Sequence, residues 1–281
     1  MPTKQGSSST TQYSSFHPAW HLFNSQFNKE YVEHVDVCAA VYGGAFPGSD
    51  MRYDFNLAGG AAMHLGHYTI SAMRGVFGAE PTQVTSATSR PIHKLYDQRC
   101  DEAMVATYIF PNGGTGHILA DLGARGGYWF PWLTSNWPSL QDMLAWILVT
   151  LRPVDLGTEN GLQKSSRKTV GFNAFMSPHG GHSIVITTTI TLTDPATGKV
   201  VKEEEITETK KAYTWPEGTK SRGEDWWATY RYQLEEFVNR VRGGEGSGAW
   251  VENEESVKQM MVTDRTYGAA GLPLRPSREA S

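Results

Sequence analysis

The chain has 281 residues, 39% of them hydrophobic and nine of them Trp, which is enough apolar material for a sizeable core and excludes an intrinsically disordered protein. A net charge of −4, with both signs spread along the chain, supplies neither a basic stripe for nucleic acid nor a cationic helix for a membrane surface, so neither partner is expected. Cys38 and Cys100 read as reduced, buried thiols rather than a disulfide, and the apolar run 143–151 falls short of the ~20 residues a membrane span needs, so a cytoplasmic location is expected.

Residues 1–14 are rich in Ser, Thr and Gln without periodicity and read as a disordered leader, followed by a single domain over 15–276 and a tail at 277–281. Pro18 opens an amphipathic helix with Trp20, Phe23 and Phe27 on one side. A strand is predicted over 35–41, ending at Gly43-Gly44. A polar loop then feeds a helix from about 60 to 77, whose apolar positions include Met63, Ile70, Met73, Val76 and Phe77 and which is closed by Gly78 and Pro81. Strands follow at 82–89, 103–110 and 115–122. Pro111-Asn112-Gly113-Gly114 makes a tight hairpin turn, because Asn and Gly tolerate positive φ, and these neighbours should pair antiparallel.

The stretch 123–138 packs Tyr128, Trp129, Phe130, Trp132 and Trp137 among glycines and prolines. It reads either as a lid-like loop over the sheet or as aromatic walls for a bound apolar substrate. Residues 140–152 fit helix or strand equally. The β-branched run 183–193 is the clearest strand; Asp194-Pro195-Ala196-Thr197-Gly198 turns it into a partner strand over 199–209, with Glu203, Glu204 and Glu205 on a solvated face. A long helix is predicted over 225–241, with Asp225 as cap, Trp226, Tyr230, Leu234, Phe237 and Val241 inward, and Gly243-Gly244 as its end; a last helix covers 254–267. Hairpin-linked strands with helices at the beginning and end make the class α+β, one mainly antiparallel open-faced sheet with helices packed on one face.

The predicted central helix carries the candidate site. His64, Tyr68 and Ser71 lie at i, i+4 and i+7 and share one face, while His67 stands a third of a turn away and could face the same cavity or solvent. His64 and His67 at i, i+3 could share a metal, but no third ligand has ordinary spacing, so no metal is expected. His179 and His182 read as polar groups of a Gly-rich turn. No G-x-S-x-G elbow, P-loop or paired-carboxylate motif supports hydrolysis or phosphoryl transfer.

The run Arg52-Tyr53-Asp54 through Gly59-Gly60-Ala61-Ala62-Met63-His64-Leu65-Gly66-His67-Tyr68, with Arg74 and Gly78-Ala79-Glu80-Pro81 behind it, resembles the substrate domain of the Gfo/Idh/MocA oxidoreductases, most closely the fungal dihydrodiol/D-xylose dehydrogenase branch. Phe16-His17-Pro18-Ala19-Trp20, Asp97-Gln98-Arg99-Cys100-Asp101-Glu102, Phe110-Pro111-Asn112-Gly113-Gly114, Tyr230-Arg231-Tyr232-Gln233-Leu234-Glu235 and Gly271-Leu272-Pro273-Leu274-Arg275-Pro276 agree with it, in order, from about 15 to 276. The resemblance implies a sheet whose bare face packs on a second subunit, hence a homodimer.

Two departures stand against that pattern. The family places a nucleotide-binding half with a Gly-rich turn and a Glu-Lys-Pro lysine before this domain, and these residues contain neither G-x-G-x-x-G nor Lys-Pro. Position 64, an Asp in the family, is His64; Tyr68 matches.

The expectation drawn from these residues is an enzyme without a cofactor that acts on an apolar, carbonyl-bearing small molecule, by a cyclisation or isomerisation of Diels–Alder type in fungal secondary metabolism. His64 would be the main hydrogen-bond donor and Tyr68 the second, His67 would be an orienting partner or a bystander, and Ser71, Arg52 and the five aromatics of 128–137 would line the substrate. The alternatives are a fragment of an NADP-dependent dehydrogenase and a non-catalytic binding subunit, in which His64 and Tyr68 would be satisfied packing.

Overall fold

The computed structural model describes residues 14–125 and 139–275. Nine strands are described: β1 (Val32–Tyr42), β2 (Gln83–Pro91), β3 (Asp101–Ile109), β4 (Thr115–Ala124), β5 (Trp146–Leu151), β6 (Val154–Glu159), β7 (Leu162–Asn173), β8 (Ser183–Thr193) and β9 (Val200–Lys210). The helices are α1 (Pro18–Asn24), α2 (Ala61–Phe77), the single turn α3 (Leu140–Met143), α4 (Thr229–Val241) and α5 (Asn253–Ala269).

The strands form one open sheet in the order β2-β3-β4-β1-β5-β7-β8-β9, with β6 paired to the outer part of β7. Every pairing is antiparallel except β1 with β4, which runs parallel with Cys38 opposite Leu119. A parallel neighbour needs a crossover rather than a hairpin. Here the crossover is α2 together with the β2–β3 hairpin, and this lays the central helix across the middle of the sheet. The α+β class and the one-sided covering by helices are as expected from the sequence.

Alternation along the strands decides which face α2 covers. Val35, Val37 and Ala39 of β1, Ile118, Ala120 and Leu122 of β4, and Ile147 and Val149 of β5 point to one side and meet Leu65, Met73, Val76 and Phe77 of α2 in a single buried cluster. Gly116 of β4 allows the close approach, because a side chain there would overlap Met73. Phe77 stacks on Phe110 with ring centroids 3.7 Å apart, and Phe23 of α1 packs against Phe172 at 5.2 Å. On the opposite face His34 and His117 flank Asp36 at 3.1 and 3.4 Å, all three part-exposed.

Several expectations need correction. The ambiguous segment 140–152 divides into the turn α3 and strand β5. Strands β6 and β7 were not anticipated: β6 is exposed throughout, and β7 mixes polar and apolar residues because only Val170 and Phe172 at its inner end reach the core. The largest difference is α4. The helix begins at Thr229 rather than at 225, so Asp225 is not its cap and Trp226 precedes it; Trp226, Tyr230, Leu234, Phe237 and Val241 are exposed rather than inward, and Thr229, Tyr232 and Glu236 form the buried side. The buried carboxylate explains the rotation, since Glu236 accepts from Ser221 Oγ at 2.6 Å and from the Ser247 amide at 3.0 Å. Both cysteines are free and buried, and among the described residues no helix is long and apolar enough to cross a membrane.

Candidate functional site

The site is built on the first two turns of α2. Two short turns precede it, with Asp50 and Asp54 as their caps: Asp50 Oδ1 accepts from the Arg52 amide and Asp54 Oδ1 from the Asn56 amide, both at 2.9 Å. Ala58 then adopts the left-handed region at φ 61°, and Gly60 enters the helix at φ 115°. A side chain on Gly60 would collide with the Asp101 carboxylate and crowd Tyr267 and Arg275, so this entry requires glycine. Asp101 Oδ2 accepts from the Ala62 amide at 2.7 Å and its Oδ1 from the Tyr267 hydroxyl at 3.0 Å. Arg275 closes the arrangement by bonding the Gly59 carbonyl and spanning the rings of Phe55 and Tyr267.

His64 and Tyr68 emerge from this fixed start, one turn apart and both part-buried. Burial, and after it the positive charge of Arg52, lowers the His64 pKa, so the imidazole is neutral near pH 7. The Ala58 carbonyl is the ring's backbone partner, while Nε2 is buried with no partner among the described residues. Nδ1 therefore carries the proton, and Nε2 is an acceptor. Burial foremost, then Tyr230, raises the Tyr68 pKa, and the two phenols share a hydrogen bond. Tyr68 is thus a neutral hydroxyl at any ordinary pH.

Arg52 stands beside the pair. Its Nη1 holds both oxygens of Asp50 at 2.9 Å, and its guanidinium lies 4.0 Å from the centroid of Phe46. The hydrogen bond from the Arg52 amide first, and the guanidinium after it, keep the Asp50 carboxylate below its usual range. His67 turns towards the other side of the helix, where burial and the charge of Arg74 depress its pKa; its ring meets Tyr68 edge-on at 6.2 Å. Ser71 is buried one turn further on. The structure thus brings His64, Tyr68 and Arg52 together and sets His67 and Ser71 apart from their open side. The aromatics Tyr128, Trp129, Phe130, Trp132 and Trp137 lie outside the described residues. Tyr230, read from the sequence as core, is a member of the site that sequence reasoning missed; its i, i+4 relation to Leu234 could not distinguish an inward stripe from an outward one.

A cavity of about 330 Å³ opens beside Tyr230, between α4 and the residues around Phe16 and Trp250. Metal ligation has no comparable support: among the described residues no group of three or more His, Cys, Asp or Glu side chains is placed to hold an ion. A dinucleotide is also poorly served. The start of α2 after Gly59-Gly60 has the form of a pyrophosphate cradle, but its Ala62 amide is already taken by the Asp101 carboxylate, which would repel a phosphate.

Residues 32–140 match the model of the GFO/IDH/MocA C-terminal domain. No curated protein matches the chain. Among solved structures, the aldose-aldose oxidoreductase of Caulobacter crescentus complexed with glycerol superposes with a TM-score of 0.54 at 15% identity, covering 95% of this chain and 61% of that one. A 3-ketoreductase of Actinomadura kijaniata in complex with NADP and TDP-benzene gives 0.54 at 13% identity over 92% of this chain and 62% of its own. A levoglucosan dehydrogenase in complex with NADH and L-sorbose gives 0.52 at 12% identity over 94% of this chain and 64% of its own. The chain spans about three-fifths of the length of these structures. Its fold is shared with the matching three-fifths of these oxidoreductases, and its residues 32–140 are similar in sequence to the GFO/IDH/MocA C-terminal domain.

Proposed function

We propose that this chain is the substrate-holding part of a Gfo/Idh/MocA-type oxidoreductase that works on an alcohol–carbonyl pair. The observation that carries this reading is the pairing, one helical turn apart, of a neutral acceptor nitrogen on His64 with a neutral hydroxyl on Tyr68. A substrate alcohol that reaches the buried His64 Nε2 would donate its hydroxyl proton there and accept a hydrogen bond from Tyr68, and the carbonyl formed would keep the Tyr68 bond. Arg52, held by Asp50, places positive charge where the departing proton leaves an alkoxide. The nicotinamide nucleotides in two of the similar structures favour hydride chemistry over the cofactor-independent cyclisation expected from the sequence. The described residues offer no cradle for such a nucleotide, so what belongs to them is the substrate oxygen and its proton.

The rival reading, a redox-neutral cyclisation, is favoured by one observation, the apolar cavity beside the Tyr68–Tyr230 pair. Conversion of a conjugated carbonyl separates the two. Recovery of the carbonyl unchanged from the chain alone, with a binding affinity that Tyr68→Phe lowers, supports the oxidoreductase reading; an isomer or cyclised product made by the chain alone, and lost in Tyr68→Phe, overturns it.

A further inference from the structure

The exposed face of α4 is the feature that the proposed chemistry leaves unused. Tyr230, Leu234 and Phe237, at i, i+4 and i+7, present a continuous apolar stripe and are 63%, 53% and 53% exposed. An amphipathic helix on a sheet ordinarily turns such a stripe inward. Here two buried polar anchors hold it outward: Glu236, bonded to Ser221 and Ser247, and Tyr232, whose hydroxyl donates to the Tyr213 carbonyl at 2.5 Å. The rotation is therefore built into the fold.

The stripe is also one wall of a formed cavity. Phe16, Trp250 and Val251 face it across about 330 Å³, with Gln233 as the polar side chain of the lining. The far wall is fixed: the Trp250 ring stands edge-on to Phe16 at 6.4 Å, and the Arg240 guanidinium lies 4.3 Å from its centroid. The volume is at the lower end of the range for small-molecule sites. Tyr230 belongs to both places, its ring lining the cavity and its hydroxyl bonded to Tyr68.

We propose that this cavity seats an aromatic or other apolar ring system of the substrate, so that the chain selects ring-bearing alcohols and carbonyls over free sugars. The proposal rests on the reading of Tyr68 as the group that holds the substrate oxygen. Because Tyr230 joins the two places, a molecule with its oxygen on Tyr68 would extend past Tyr230 into the cavity. A free sugar would bring a hydroxyl on nearly every carbon into a mainly apolar lining, where Gln233, Tyr230 and Trp250 are too few to meet them, and each unmet hydroxyl would lose its water without replacement. An apolar ring loses nothing there and covers Leu234 and Phe237, which water otherwise faces.

The test uses the whole chain and three probes, 2-naphthaldehyde, naphthalene and D-xylose, with dissociation constants measured by calorimetry or saturation-transfer NMR. Leu234→Trp fills the cavity from an exposed helix position, and Leu234→Glu charges its wall without adding bulk. Both should weaken naphthalene and 2-naphthaldehyde at least tenfold, while D-xylose binds more weakly than the aldehyde to the unaltered chain. Tyr68→Phe should weaken the aldehyde and leave naphthalene unchanged. If Leu234→Trp and Leu234→Glu leave both ring probes unchanged, or if D-xylose binds as tightly as the aldehyde, the cavity proposal fails. Failure to bind naphthalene, with self-association that Leu234→Glu abolishes, assigns the stripe to an interface between copies and also overturns it. A loss confined to the Tyr68→Phe effect, with the Leu234 effects intact, removes the reading of Tyr68 and leaves the cavity standing.

Discussion

Asp101 caps the helix that carries the site: its Oδ2 accepts from the Ala62 amide at 2.7 Å while its Oδ1 takes the Tyr267 hydroxyl at 3.0 Å. One carboxylate thus ties the first turn of α2 to α5 and fixes the direction in which His64 and Tyr68 leave the backbone. Burial raises the pKa of this group, and the two donors oppose that shift. Asp101→Ala strands the Ala62 amide and the Tyr267 hydroxyl in the interior and should cost about 2–4 kcal/mol in urea unfolding. Asp101→Asn keeps one acceptor and should cost less.

A second tie joins the same helices at the other end. Arg74 of α2 has no exposed side-chain surface and pairs with Glu255 of α5 at 3.0 Å, with Glu80, and with Gln259 Oε1 at 3.0 Å. Breaking a buried pair by removing one partner leaves the other charge uncompensated, typically at about 3–5 kcal/mol. Arg74→Met should therefore shift the unfolding midpoint far more than Lys202→Met, which removes an exposed partner of Glu204. Equal effects in denaturant titrations would contradict this.

Much of this arrangement is legible in the sequence, and the misses have physical causes. The helix over Ala61–Phe77 follows from its apolar period between Gly60 and Gly78, and the β3–β4 hairpin follows from Pro111-Asn112-Gly113-Gly114. The candidate pair His64 and Tyr68 also follows, because i, i+4 spacing on a helix is independent of the tertiary fold. The rotation of α4 does not follow: periodicity finds an apolar stripe but not which way it faces, and Glu236 reads as a surface residue until Ser221 and Ser247 are brought to it. Strand β7 is not legible in the sequence because Gln163, Lys164, Arg167 and Lys168 dilute its pattern, and its pairing with β8 is a long-range fact.

His17 makes the fold acid-sensitive. Its Nδ1 accepts from the Ala19 amide at 3.2 Å at the start of α1, and burial above all, with neighbouring His182 next, lowers its pKa from 6.5 to about 3. A histidine held neutral in the folded state contributes fully above pH 6.5. That contribution is lost as pH falls towards 3, because the unfolded chain binds the proton first. His17→Asn keeps a side-chain acceptor for the Ala19 amide and removes the titration. The pH slope of its stability in that window should fall by up to one proton, about 1.4 kcal/mol per pH unit. Parallel stability curves for the two proteins between pH 6.5 and 3 would refute this.

The central claim is that Tyr68 and His64 hold a substrate oxygen and its proton. The most direct measurement is the affinity of the chain for 2-naphthalenemethanol and 2-naphthaldehyde before and after Tyr68→Phe and His64→Phe, with circular dichroism confirming the fold of each variant. One lost hydrogen bond is worth about 0.5–1.5 kcal/mol, so Tyr68→Phe should weaken both ligands by up to about tenfold. His64→Phe should weaken the alcohol, whose proton Nε2 accepts, and spare the aldehyde, which has none to give. Unchanged affinity for both ligands in both variants would contradict the account and return the two residues to the packing of α2.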